Sequence, residues 1–253
     1  MEWEGLDLSD AQLSHFRFFS SLMTNCRFDR SKCEDWRLWG TNVTQSSFVS
    51  ANLRGSVLGP WYEGRGNSCK FVNFSKADML KLVSSAATYE DCDFSNARLE
   101  SIDFQSSGFV RCRFAGELRE VMFYDHGFKT GKPDPNPMED VDFSKAKLRW
   151  VAFRRLDLKQ VRLPHDGDHL IVTNYPCVLH HALQKLTHAK ERHEIELRGL
   201  LKNYLKWVGA EQKIGIFSRL DFVDAWGKVG EEFATDLLCR VENECANISG
   251  SSH

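Results

Sequence analysis

Apolar residues recur at every fifth position through the first two thirds of the chain. From Leu8 the series runs Leu13, Phe18, Met23, Phe28, Cys33, Leu38, Val43, Phe48, Leu53 and Leu58 without a polar member. One residue earlier, the same spacing gives Asp7, Gln12, Arg17, Leu22, Arg27, Lys32, Arg37, Asn42, Ser47, Asn52 and Val57, where only Leu22 and Val57 are apolar. Two residues earlier stand mostly small side chains: Ala11, Ser21, Cys26, Ser31, Thr41, Ser46, Ala51 and Ser56. The register slips once and resumes at Cys69, running through Phe74, Met79, Ser84, Tyr89, Phe94, Leu99, Phe104, Phe109 and Phe114, with Ser84 as its polar exception. After a one-residue deletion it continues as Leu118, Phe123, Phe128, Pro133, Met138, Phe143, Leu148, Phe153, Leu158 and Leu163. A period of five matches neither the helical 3.6 nor the strand 2.0. It predicts a chain that turns a corner every five residues, four sides to a coil. Such coils stack by backbone hydrogen bonds at the strand spacing of about 4.8 Å. The central side chains then form internal columns, with the small residues beside them where space is short.

The segments Ala51-Asn52-Leu53, Ala77-Asp78-Met79, Cys92-Asp93-Phe94-Ser95, Ala97-Arg98-Leu99, Ile102-Asp103-Phe104, Val141-Asp142-Phe143-Ser144 and Ala146-Lys147-Leu148 carry a pattern of small or aliphatic residue, polar residue (mostly Asp or Asn), then a large apolar residue. Over about residues 6–163 the chain resembles the pentapeptide-repeat proteins. The resemblance implies a mainly β solenoid, a right-handed quadrilateral β-helix. Four repeats to a coil give an expected seven to eight coils over residues 1–163.

The prolines punctuate this pattern. Pro60 falls in the first break, and a loop is expected near 59–68; Pro133, Pro135 and Pro137 mark a second loop near 129–137. Proline removes a ladder donor and belongs outside paired strands. The period stops after Leu163, and residues 164–176 read as a linker. Beyond it, Leu179, Leu183, Leu186, Leu197, Leu201, Tyr204 and Val208 recur at helical spacing, as do Phe222, Trp226, Val229, Phe233, Leu237 and Val241. Amphipathic helices are predicted over about 177–208 and 219–245, making 177–253 an α-helical cap or docking domain, longer than the short terminal cap usual in the family. Solenoids need their end core covered. The apolar residues Phe222, Trp226, Phe233 and Leu237 exceed what a cap needs and are candidate cap or homodimer contacts.

Charge narrows the functional classes. The formal net charge is −2 in 253 residues, which argues against a globally basic nucleic-acid binder and against direct nucleic-acid binding. Late in the repeat, Lys145, Lys147, Arg149, Arg154, Arg155, Lys159 and Arg162 face only Asp157, a candidate patch for an anionic partner. Glu191, Glu194 and Glu196 in the predicted helix are candidates to meet it. Glu90, Asp91, Asp93, Glu100 and Asp103 form the local acidic run. The eight cysteines show no CxxC pair. Cys26, Cys33, Cys69, Cys92 and Cys112 fit the repeat as small buried residues, so reduced thiols are expected and four clustered zinc ligands are not. His165-Asp166-Gly167-Asp168-His169 holds ligand-type residues but reads as a turn. The acidic start, Met1-Glu2-Trp3-Glu4, and the absence of a long apolar run point to a cytoplasmic protein with no membrane partner.

No catalytic residue, metal ligand or cofactor motif emerges: there is no GxSxG, P-loop, GxGxxG or HExxH. The reading is a non-enzymatic interaction scaffold for an unknown protein partner. The resemblance supplies an alternative. Fluoroquinolone-resistance members of the family mimic B-DNA in size and charge and bind DNA gyrase or topoisomerase IV, a role that asks for an acidic rod. Residues 1–163 are nearly neutral instead.

Overall fold

Where an Asp or Asn stands before a central residue, it braces the corner. Its side-chain oxygen accepts the backbone N–H two residues on: Asp7 from Ser9 at 3.0 Å, Asn73 from Ser75 at 2.9 Å, Asp78 from Leu80 at 3.1 Å, Asp93 from Ser95 at 2.8 Å and Asp142 from Ser144 at 2.8 Å. These Asx turns compete with continued strand and bend the chain. With or without that brace, the residue two past the centre takes a left-handed conformation, with φ from 44° to 69° at Asp10, His15, Ser20, Asn25, Arg30 and Asp35. Gly5, Gly40 and Gly55 occupy the same corner position, where a glycine avoids the Cβ clash that other residues bear.

Repeated corners stack the sides into parallel ladders. The computed structural model describes residues 1–59, 62–126, 135–209 and 211–250. One sheet joins Glu2–Glu4, Leu22–Thr24, Asn42–Thr44, Ser68–Lys70, Thr88–Glu90 and Gly108–Val110 in that order. A second runs through Arg17–Phe19, Arg37–Trp39, Val57–Leu58, Val83–Ser85, Leu99–Gln105 and Arg113–Tyr124, which also pairs with Asp93–Ser95 and Asp142–Arg149. Single bridges such as Asp7↔Arg27↔Ser47 and Gln12↔Lys32↔Asn52 mark the remaining sides. Partners lie 20 residues apart, as in Phe18↔Leu38 and Phe94↔Phe114. Residues 1–153 and 160–164 form this β-solenoid unit; residues 154–159 and 165–253 form a second compact unit.

Inside the solenoid the described central residues are buried from Phe18 onward. Phe28, Phe48, Phe74, Phe94, Phe114 and Phe143 make one continuous stack, with neighbouring centroids 4.6, 5.4, 5.1, 4.8 and 4.6 Å apart. Phe104, Phe123 and Phe153 make another. Ser84 is fully buried, and its hydroxyl pairs with Tyr89 Oη at 2.9 Å and Ser107 Oγ at 2.8 Å. Three hydroxyls thus satisfy one another where an apolar core would leave Tyr89 unpartnered.

The first break shifts the ladder to Asn42↔Ser68, and buried Asn67 repairs it. Its Oδ1 accepts Thr41 N–H at 2.9 Å, and its Nδ2 donates to Leu38 O at 3.0 Å and Gly59 O at 3.3 Å. Asn136 repeats the device, accepting from Phe109 and Met138 N–H and donating to Tyr124 O. Residues 60, 61 and 127–134, with Phe128 and Pro133 of the repeat and most of the second loop, lie outside the described residues.

The second unit departs from the sequence reading in two places. His169–Val172, expected within a linker, is a strand paired antiparallel with Gly215–Ser218. Four residues are too few for periodicity to reveal. The expected helix over 177–208 is two helices, α1 (Tyr175–Lys185) and α2 (Arg192–Trp207). Glu191 and Glu194 form a capping box that starts α2 anew. The last helix, α3 (Arg219–Gly250), breaks at Gly227, whose φ is 66°. Val172, Val178, Leu179, Leu197, Leu201, Phe222, Leu238 and Val241 meet in this unit's core.

A disulfide joins Cys177 on α1 to Cys245 on α3, where the sequence pointed to reduced thiols. The pair is 68 residues apart, so no local spacing announces it. The repeat cysteines Cys26, Cys33, Cys69, Cys92 and Cys112 are free and buried. Among the described residues, no helix is long and apolar enough to cross a membrane.

Candidate interaction surfaces

The coil repeat decides which charges meet on the solenoid wall. A residue and its partner one coil later lie side by side, and the sequence sets opposite signs there. Arg30 grips Asp10 with two hydrogen bonds, at 2.9 and 2.7 Å. Arg111 does the same to Asp91, both at 2.8 Å, and also reaches Glu90, which Lys70 contacts at 3.0 Å. Asp78 lies between Arg54 and Arg98, at 3.8 and 3.7 Å. Hydrogen bonds from these cations hold the Asp10, Glu90 and Asp91 carboxyls below their usual range. In the acidic run Glu100 likewise pairs with a cation, Arg98, at 2.7 Å, while Asp103 accepts a neutral hydrogen bond from Gln105.

The late basic residues have different immediate partners. Arg162 pairs with Asp142 at 3.3 Å, and Lys159 with Asp157 at 3.4 Å. Arg154 stacks its guanidinium over the Trp207 ring at 4.3 Å, and Arg155 lies 5.9 Å from the same ring. Arg149 is half-buried on the strand Asp142–Arg149. Lys145 and Lys147, on that strand, are exposed.

In the second unit, Glu191 and Glu194 serve the α2 cap. Glu196 accepts from Arg192 and from Trp226 Nε1, each at 2.7 Å. Phe222 and Leu237 belong to the unit's own core, while Trp226 and Phe233 pack half-buried on its margin. A homodimer through this helix would rest on those last two. The His165–His169 segment turns at 166–168 into the strand that His169 begins: Asp166 accepts from Asp168 N–H and pairs with His169 Nδ1 at 2.7 Å.

The sequence reading missed an aromatic ledge on the early coils. Phe19 is 50% exposed. Its ring stacks on Trp39 at 4.6 Å and meets Tyr62 at 5.8 Å. Phe16 and Leu22, close by in the chain, are also exposed. The signal was present: Phe19 and Trp39 are aromatics one position past the centre, 20 residues apart, where the wall faces water.

No family model and no curated protein matches the chain. Among solved structures, it is similar to a trypsin-treated variant of QnrB1, a plasmid-mediated fluoroquinolone resistance protein. The identity is 13% and the TM-score 0.35, over 60% of this chain and 79% of that one. It is similar to HetL, a pentapeptide-repeat protein of heterocyst differentiation regulation from the cyanobacterium Nostoc, at 14% identity and TM-score 0.25, over 65% and 81% of the chains. It is also similar to the pentapeptide-repeat protein Rfr23 from the cyanobacterium Cyanothece, at 9% identity and TM-score 0.24, over 64% and 90%. The chain's own geometry speaks more directly. With a period of five, a mainly 20-residue parallel register and a left-handed corner after most central residues, this chain has the repeat and coil geometry of a pentapeptide-repeat solenoid, followed in sequence by a long C-terminal helical region.

Proposed function

We propose that the protein is a non-enzymatic interaction scaffold whose solenoid wall binds a protein partner. The observation that carries this reading is the ledge of Phe19, Trp39 and Tyr62. Large aromatics held on a rigid sheet present apolar area at little entropic cost and are the residue types that anchor interfaces. The solenoid interior supports the same view, because stacked rings fill it and recognition falls to the outer walls. A partner presenting apolar side chains fits the ledge. We take the solenoid to wind right-handed through the seven to eight coils that its repeats imply.

The alternative is a DNA-mimicking binder of gyrase or topoisomerase. It needs an acidic wall, and the ladders Asp10–Arg30, Asp91–Arg111 and Asp78–Arg98 set a cation against each anion instead.

Affinity purification from the native host tests the reading. A partner captured by the wild-type chain should be lost with Phe19→Ser/Trp39→Ala and retained with Lys145→Glu/Lys147→Glu. The reverse pattern would move recognition to the basic strand and overturn the ledge.

A further inference from the structure

Helical spacing places Cys177 and His181 on one face of α1, one turn apart, and the packing of α3 against α1 brings Cys245 to the same spot. Both thiol sulfurs and a ring nitrogen of His181 lie within 4.8 Å of one another. Cys245 is fully buried, while Cys177 and His181 are half-buried. A structural disulfide needs no imidazole beside it. A tetrahedral zinc site needs thiolate and imidazole ligands with separations of about 3.5–3.8 Å, which follow from zinc–sulfur bonds near 2.3 Å and zinc–nitrogen bonds near 2.0 Å.

We propose that Cys177, His181 and Cys245 form a zinc site in the reduced protein, and that the disulfide and the metal are alternative occupants of one place. The exchange balances. A dithiol reductant supplies two electrons and two protons, the sulfur–sulfur bond breaks into two thiols, and the reductant closes its own disulfide. On metal binding each thiol releases its proton to solvent and neutral His181 gives a lone pair. Two thiolates cancel the dication's charge, so the half-buried site ends neutral. Three protein ligands leave a fourth position for water, and soft sulfur ligands favour zinc over magnesium or calcium. The spacing-based argument against zinc fails here because the third ligand comes from the far end of the unit's sequence.

The test uses the full-length protein, reduced with a phosphine and titrated anaerobically with Co²⁺ as a spectroscopic stand-in. One equivalent should raise a thiolate-to-cobalt charge-transfer band, which one equivalent of Zn²⁺ removes. The oxidised protein should show no band. Cys245→Ser should abolish it. His181→Ala should weaken Co²⁺ binding at least tenfold while the oxidised variant still forms its disulfide by thiol counting, a control that reports on folding. Absence of the band in reduced wild type, or unchanged affinity in His181→Ala, overturns the site.

Discussion

Within the internal stack, a phenyl ring is held by the coil before and the coil after. Phe94 is fully buried between Phe74 and Phe114, with rings within 14° of parallel. Truncation leaves a cavity that stacked backbone ladders cannot close by collapsing. Phe94→Ala should therefore cost about 3–5 kcal/mol in denaturant unfolding; a loss below about 0.5 kcal/mol would contradict its inward position. The repeat thiols follow from the same packing. Burial pushes the Cys33 and Cys69 thiols up to about 12. At pH 8, roughly one such thiol in ten thousand is ionised, and the thiolate is the reactive form. Iodoacetamide should label half-buried Cys239 in the native protein, and Cys33 and Cys69 only after unfolding. Rapid labelling of Cys33 in the folded chain would mean that its coil opens.

At the scale of one coil against the next, the charge ladders give the solenoid its pH response. Asp10, Glu90 and Asp91 have folded-state values depressed by hydrogen bonds from Arg30, Lys70 and Arg111. Their contribution is present above the ordinary carboxylate range, about pH 4–4.5, and is lost as pH falls through the depressed values. Arg111→Gln should lower Tm near neutral pH, and its difference from wild type should vanish in acid. A difference that persists at pH 2 would show that Arg111 acts through packing and not through its carboxylates. Added salt should shrink the neutral difference, since these side chains are largely exposed. The ladders also show what sequence can reveal. Coils, columns and corners were legible, because a period of five fits only a chain that turns every five residues. The pairings follow once 20 is known as the coil length. The clamps Asn67 and Asn136 were not legible, because each repairs a break where the period itself is interrupted.

For the whole molecule, legibility divides at the end of the repeat. Helical spacing located the apolar residues after Leu163, but it merged α1 with α2 and overlooked the two-stranded ribbon of His169–Val172 and Gly215–Ser218, because a short turn and two four-residue strands leave no periodic trace. The ledge was hidden for another reason: a search for inward positions discards residues such as Phe19 and Trp39 that point outward. Long-range pairing was the least accessible, and the Cys177–Cys245 bond is its main case. That bond lies wholly within the second unit, tying its first helix to its last. Closing a loop with a sequence separation of 68 removes unfolded-chain entropy equivalent to about 4 kcal/mol. The helical unit is small, with a core drawn from three helices and a two-stranded antiparallel ribbon, so such a loss is a large share of its stability. Reduction in the presence of a chelator, which keeps metal from replacing the bond, should therefore act unevenly along the chain. Hydrogen exchange read by mass spectrometry should accelerate across 175–185, 192–207 and 228–248 and stay unchanged across 17–59 and 68–124. Cys177→Ser should reproduce the pattern without reductant. Equal protection of the helical peptides before and after reduction would show that the packing of Val178, Leu201 and Leu238 holds the unit without the bond.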